Sequence, residues 1–160
     1  MEKVGIGVDV GGTSVKLGLF QPDGTILKKW EFPTDTSENG THILPDIAES
    51  IRKTMEETFQ GKAELIGVGI GVPGPVQPTG YVEVGVNLHW REMYPARELS
   101  ELLGGVRVEV GNDANVAALG EAWRGGGEGA ANAVLLTLGT GVGGGVIMNG
   151  EIVTGKHGLA

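Results

Sequence analysis

The chain has 160 residues, of which 30 are glycine and none cysteine, and 12 Lys and Arg against 20 Asp and Glu leave a net charge of −8. Glycine is ordinarily about 7% of a chain, but the excess here follows no period of three and 40% of the residues are hydrophobic, which excludes collagen and wholesale disorder. The acidic balance without a basic stripe argues against a nucleic-acid partner, and the lack of cysteine removes any disulfide framework or thiolate metal site.

The start, Met1-Glu2-Lys3-Val4-Gly5, runs straight into an apolar strand rather than through a leader, and no apolar run approaches the roughly 18 residues of a membrane span. A cytoplasmic chain is expected, long enough for one full domain and short for two. Val4 to Val10 reads as a buried strand, Gly11-Gly12-Thr13 as a turn, and Ser14 to Phe20 as a second strand. Pro22-Asp23-Gly24 is a turn leading into a third strand, Thr25 to Phe32, so the opening is an antiparallel set. Leu44, Ile47, Ile51, Met55 and Phe59 share one helical face, with Pro45 in the first turn. Leu65 to Val72 is a continuous apolar run of the kind that forms an interior strand covered on both faces. A Gly/Pro loop follows at 71–75, then a short helix Pro95 to Leu103, a strand Val106 to Val110 and a helix Ala114 to Trp123.

Gly125-Gly126-Gly127 reads as a linker, after which the opening pattern returns: strand Ala133 to Leu138, turn Gly139-Thr140-Gly141, strand Gly143 to Met148, the hairpin signal Asn149-Gly150, and a strand from Glu151 to Thr154. Gly12-Thr13 aligns with Gly139-Thr140, and Phe20 with Ile147. Either the unit repeats or two glycine-rich hairpins merely look alike. A repeat implies one lobe over 1–124, a hinge over 125–131, and the opening strands of a second lobe over 132–160, truncated before the helices that would cover them. The glycines are expected to concentrate at turns around a cleft between the two.

Gly69, Gly71 and Gly74 spell a dinucleotide fingerprint, as do Gly139, Gly141 and Gly144. That motif requires a helix directly after the glycines, whereas Pro75-Val76-Gln77-Pro78 and a hairpin follow here. What remains is a pair of strand–turn–strand loops whose glycines allow backbone N–H groups close to an anion, and two of them could hold a polyphosphate. In that reading Asp9 faces Mg²⁺, directly or through water, Thr13 offers its hydroxyl and Lys16 reaches phosphate oxygens. The plain alternative is that Asp9 stabilises a turn and Lys16 is solvated.

Gly111-Asn112-Asp113-Ala114-Asn115 lies between a strand and a helix, where Asn112 or Asp113 is placed to cap the helix. The functional reading makes Asp113 a base that takes a proton from an alcohol, its ionised form favoured by the helix N-terminus, with Asn112 orienting the hydroxyl. His42, His89 and His157 lack metal-ligand spacing and read as structural or surface residues.

At these residues the sequence resembles the ROK family of sugar kinases and repressors, its bacterial glucokinases in particular. Asp9 to Lys16 (DVGGTSVK) is similar to the family's first phosphate loop, Gly71 to Val76 (GVPGPV) to its sugar-side loop, and Asn87-Leu88-His89-Trp90 to the segment that follows it. Gly111 to Glu121 (GNDANVAALGE) resembles the catalytic segment, and Leu138 to Gly145 (LGTGVGGG) the second phosphate loop.

The resemblance implies an α/β fold of the ribonuclease-H-like, actin-like ATPase kind: a mixed sheet with an antiparallel hairpin start and flanking helices, followed by the first strands of a second, similar lobe. It implies ATP-dependent phosphorylation of a hexose, glucose above all, at the 6-hydroxyl. Asp113 is then the catalytic base; Asn112, Pro73, Gly74 and Asn87 bind sugar; Gly11, Gly12, Thr13, Lys16, Gly139, Thr140 and Gly141 bind nucleotide; and Asp9 faces Mg²⁺. A homodimer or homotetramer is implied for the full-length form, acting on hexose and ATP without nucleic acid or membrane. Gly155 to Ala160 matches the start of a segment whose Glu and His, with a later zinc-binding cysteine cluster, lie outside this chain, so a structural zinc is expected only there. The 160-residue chain alone is therefore expected to be inactive. Which hexose is used stays open among glucose, fructose, mannose, allose and N-acetylated sugars. A sugar-responsive regulator of the same family would need a DNA-binding segment ahead of Gly5, and a non-catalytic sugar- or nucleotide-binding module is the remaining alternative.

Overall fold

Val4, Ile6, Val8 and Val10 are buried along the first strand while Gly5, Gly7 and Asp9 take its opposite face, and this alternation organises the molecule around one sheet. The structure, a computed structural model, describes residues 1–138 and 141–156. Strands β1 (Glu2–Val10), β2 (Ser14–Phe20) and β3 (Ile26–Pro33) form an antiparallel meander. A distorted turn, α1 (Ser37–Gly40), leads to helix α2 (Ile43–Phe59) and strand β4 (Ala63–Val72), which returns parallel to β1. A small hairpin follows, β5 (Val82–Gly85) and β6 (Trp90–Met93), joined through a 3₁₀ turn at Val86–Leu88. Helix α3 (Pro95–Leu102) then precedes β7 (Val108–Asn112), parallel to β4, so the main sheet runs β3-β2-β1-β4-β7.

Helix α4 (Asp113–Arg124) starts where β7 stops and leads to a second meander, β8 (Ala133–Leu138), β9 (Val142–Met148) and β10 (Glu151–Ile152). Its order, β10-β9-β8, mirrors β3-β2-β1, and the two positive-φ residues Asn149 and Gly150 make the expected turn. The fold is thus a mixed α/β sheet with flanking helices, as the sequence implies.

Helices α2 and α3 cover one face of the main sheet. Ile43, Leu44, Ile47, Ala48 and Ile51 of α2 are buried against the even-numbered residues of β1, with Met55 and Phe59 packed at the margin. Burying each such aliphatic side chain stabilises the fold by roughly 1.5–3 kcal/mol. Helix α4 lies on the other face and touches both sheets, β4 and β7 on one side and β8, β9 and β10 on the other.

Several expectations are corrected. The run Leu65 to Val72 is not covered on both faces: Val68, Ile70 and Val72 are buried, but Ile66 is 44% exposed. The reason is that Ile66 is the extra residue at a register shift against β1, between the Val4–Leu65 and Gly5–Gly67 pairs. The glycines do not gather only at turns. Gly111 sits inside a strand, where an added Cβ would stand 2.9 Å from Cγ2 of Val116, and one on Gly145 of β9 would stand 2.6 Å from Cβ of Ala118. Strand glycine is what lets α4 nest between two sheets. Strand β7 begins at Val108 rather than Val106 and runs to Asn112, and β10 stops at Ile152. Within the expected linker, which is not among these corrections, Glu121 O accepts from Gly125 N and Gly127 N at 3.0 Å each, and Glu121 Oε2 accepts from Gly126 N at 2.9 Å.

Candidate functional site

Strands β1, β4 and β7 run parallel, so their C-terminal ends meet at one edge of the sheet, where ligands bind in open α/β sheets. The register places Asp9, Gly71 and Gly111 in one row, with Lys16 of β2 opposite Asp9. Because β7 passes into α4 without a loop, the helix N-terminus is delivered to the same edge.

Asn112 is the helix cap. Its φ of −62° and ψ of 140° are extended, and its Oδ1 accepts from Ala114 N at 3.1 Å and Asn115 N at 3.3 Å. Its Nδ2 donates to Gly74 O at 2.8 Å, clamping the Gly/Pro loop to the helix start. These partners fix the orientation of the amide and leave one Nδ2 hydrogen for a ligand. Asp113 is exposed, its Oδ1 accepting from Ala114 N at 2.8 Å. Cap and exposed carboxylate are therefore two adjacent residues. Gly71 lies alongside this helix start: a Cβ there would stand 3.4 Å from Cα of Asp113, an ordinary van der Waals contact.

Two cavities flank Asp113. One, of about 510 Å³, is lined by Gly74, Asn87, Asn112, Asp113, Thr137 and Gly141 among others. The other, of about 360 Å³, is lined by Asp9, Gly71, Asp113, Ala114 and Thr137 among others. Asn87 is held near the first glycine turn: a Cβ on Gly12 would stand 3.1 Å from Asn87 O. That turn is itself fixed, Gly11 N donating to Ser14 O at 3.0 Å and Thr34 Oγ1 to Gly11 O at 2.6 Å.

The structure thus brings Asn87, Asn112, Asp113, Gly74 and Gly141 to one cavity and Asp9 to the adjoining one. Gly11, Gly12, Thr13 and Lys16 line neither, and Pro73 precedes Gly74 without lining them. Gly139 and Thr140 lie outside the described residues, as does His157. His42 pairs on the surface with Glu38 at 2.8 Å, and His89 closes the 3₁₀ turn with a φ of 60°. Thr137, which lines both cavities, was not among the candidates from sequence. Its signal was there, as the one polar side chain in the apolar strand Ala133–Leu138.

Asp9 is exposed as a residue, yet loss of hydration raises its carboxyl above the ordinary 3.8; the charge of Asp113 adds to this and that of Lys16 opposes it. Two carboxylates around one cavity suit a hard cation that keeps part of its water, such as Mg²⁺. Among the described residues no three His, Cys, Asp or Glu side chains cluster as an all-protein metal cage. An ionised Asp9 is less favourable in the folded chain than in the unfolded one, so it costs stability increasingly as pH rises from its unfolded value through its raised folded value. Asp9→Asn is therefore expected to raise the melting temperature at neutral pH, the gain fading in acid as the native carboxyl protonates. Melting curves without metal across that range check it, and an unchanged or lower melting temperature at neutral pH contradicts it.

No helix among the described residues is long and apolar enough to cross a membrane. The chain is 44% identical over 97% of its length to the glucokinase of Halalkalibacterium halodurans, covering 47% of that protein. The crystal structure of a ROK family glucokinase from Streptomyces griseus, in complex with glucose and AMPPNP, superposes with a TM-score of 0.80 at 32% identity, over 98% of this chain and 48% of that one. The ROK hexokinase of Thermus thermophilus gives a TM-score of 0.83 at 30% identity, over 98% of this chain and 51% of that one. The chain therefore spans about half the length of these relatives. The ROK family model matches residues 5–160, the same stretch that carries both glycine-rich sequence motifs, the Asn112–Asp113 junction and the paired meanders, and the chain belongs to the ROK family.

Proposed function

We propose that the whole protein carrying this chain is a hexose kinase that transfers the γ-phosphoryl group of ATP to the 6-hydroxyl of glucose. The observation that carries this reading is the position of Asp113, a carboxylate shared by one cavity lined with neutral polar groups and another that holds Asp9. The likeness to glucokinases over nearly the whole chain supports it.

In this reading the sugar occupies the larger cavity, contacted by Asn87, by the remaining Nδ2 hydrogen of Asn112, and by the Pro73-Gly74 loop. The sugar oxygen attacks phosphorus, the bond to the ADP oxygen breaks, and the hydroxyl proton passes to the Asp113 carboxylate. Such transfer depends mainly on positioning and on neutralising charge. Gly11, Gly12, Thr13 and Lys16, which line neither cavity, are assigned to the nucleotide phosphates together with Gly139, Thr140 and Gly141. Bound near Asp9, Mg²⁺ would supply positive charge to the phosphate oxygens. Residues 1–124 form one lobe and 132–160 the beginning of another, with 125–131 between them. The protein acts in the cytoplasm as a homodimer or homotetramer, and any structural zinc lies outside this chain.

A coupled assay for ADP release tests the reading on the whole protein with Mg-ATP and a panel of glucose, mannose, fructose, allose and N-acetylglucosamine. Glucose is expected to give the highest kcat/KM. A protein that turns over none of these sugars is not a hexose kinase.

A further inference from the structure

We propose that the hydroxyl of Thr137 is a catalytic group, donating a hydrogen bond to an equatorial oxygen of the phosphoryl group as it passes from ATP to the sugar. The inference rests on the kinase reading above and adds to it a residue from the second sheet.

Among the described residues, three line both cavities: Asp113, Ala114 and Thr137. A phosphoryl group in transit between the two must pass this junction, and its oxygens carry negative charge that needs donors. The carboxylate of Asp113 and the methyl of Ala114 provide none. The N-terminus of α4 is the obvious alternative, yet Ala114 N already donates to Asn112 and Asp113, and Asn115 N to Asn112. Those N–H groups are committed to the cap. Among the described residues Thr137 is thus the one shared side chain with a neutral donor, and it is exposed.

Its placement is specific. Thr137 pairs with Gly143 across β8 and β9, and a Cβ on Gly143 would stand 2.5 Å from Oγ1 of Thr137 and 3.3 Å from Cβ of Ala114. Gly143 leaves the space in which the hydroxyl stands against the first turn of α4. Ala133 and Leu135, the other residues on this side of β8, pair with Ile147 and Gly145 and line neither cavity, so Thr137 is the position on this side of β8 that reaches the junction. In the transfer, the sugar oxygen gains the phosphorus as the ADP oxygen loses it and Asp113 takes the proton. Thr137 keeps its own proton throughout.

Thr137→Val keeps the shape and removes the hydroxyl, Thr137→Ser keeps the hydroxyl, and Thr137→Ala serves if Val fails to fold. In the whole protein, with glucose and Mg-ATP, removal of the hydroxyl is expected to lower kcat by about 100-fold, the scale of one lost transition-state donor, with the KM for glucose changed less than about threefold. Ser is expected to recover most of kcat, which a merely structural role for the residue would not require. Val or Ala with kcat within about threefold of wild type, or Ser no better than Val, overturns the inference while wild-type turnover upholds the kinase reading. A wild-type protein that phosphorylates no hexose overturns both.

Discussion

Asp113→Asn in the whole protein is expected to lower kcat for glucose phosphorylation by about 10²- to 10⁴-fold, the usual worth of a general base, while the Kd for glucose stays within a few-fold of wild type. Asn is the informative replacement. Its side-chain oxygen still accepts from Ala114 N, where Asp113 Oδ1 does so at 2.8 Å, so the helix start is retained. The groups proposed to bind sugar also remain, because Asn112 stays fixed between the cap and Gly74 O. Asp113→Ala is expected to show the same loss of turnover with some further cost in stability. Single-turnover kinetics together with calorimetric titration of glucose separate the two quantities. A parallel loss of binding and turnover assigns Asp113 to sugar binding alone, and near-normal turnover removes it from the chemistry.

The second large effect is structural and distant from the carboxylate. Gly40 has a φ of +69°, and an added Cβ would lie 2.2 Å from Leu88 O and 2.7 Å from Cδ1 of Trp90. Its carbonyl accepts from Trp90 Nε1 at 3.0 Å, and Trp90 is 1% exposed. Gly40→Ala therefore combines a left-handed alanine with overpacking against backbone, and is expected to destabilise the protein by about 2–5 kcal/mol. Urea unfolding would show an earlier midpoint with an unchanged slope. Because Leu88 follows Asn87 directly, the same variant is expected to raise the KM for glucose in protein that still folds. A cost under about 1 kcal/mol would mean that the α1 turn and the 3₁₀ turn move apart freely, and would remove this link between the core and the proposed sugar cavity.

Much of the fold was legible because its signals are local. The turn at Asp23-Gly24, the apolar face of α2, and the hairpin residues Asn149-Gly150 each depend on neighbours a few positions away, and each lies where the pattern puts it. The β5–β6 hairpin was hidden because Glu83, Arg91 and Glu92 are exposed and break the apolar run, leaving Val82 and Trp90 as isolated buried anchors. The glycines misled in part: their strand positions are meaningful only once α4 is seen lying against them. At the site, spacing exposed Asn112 as a cap, but not the clamp on Gly74, which joins residues remote in sequence. Thr137 escaped notice for the same reason. A threonine in a strand is ordinary until the opposing Gly143 and the first turn of α4 are placed beside it.

In the proposed mechanism Asp113 stands where the cavity assigned to sugar meets the one assigned to phosphate. Phosphorus NMR of the products formed by the whole protein from glucose and Mg-ATP tests it most directly, run beside Asp113→Asn. Wild type is expected to yield glucose 6-phosphate and ADP in equal amounts, and the variant almost none in the same time. Inorganic phosphate without sugar phosphate, a product phosphorylated at another hydroxyl, or equal yields from both proteins would contradict the account.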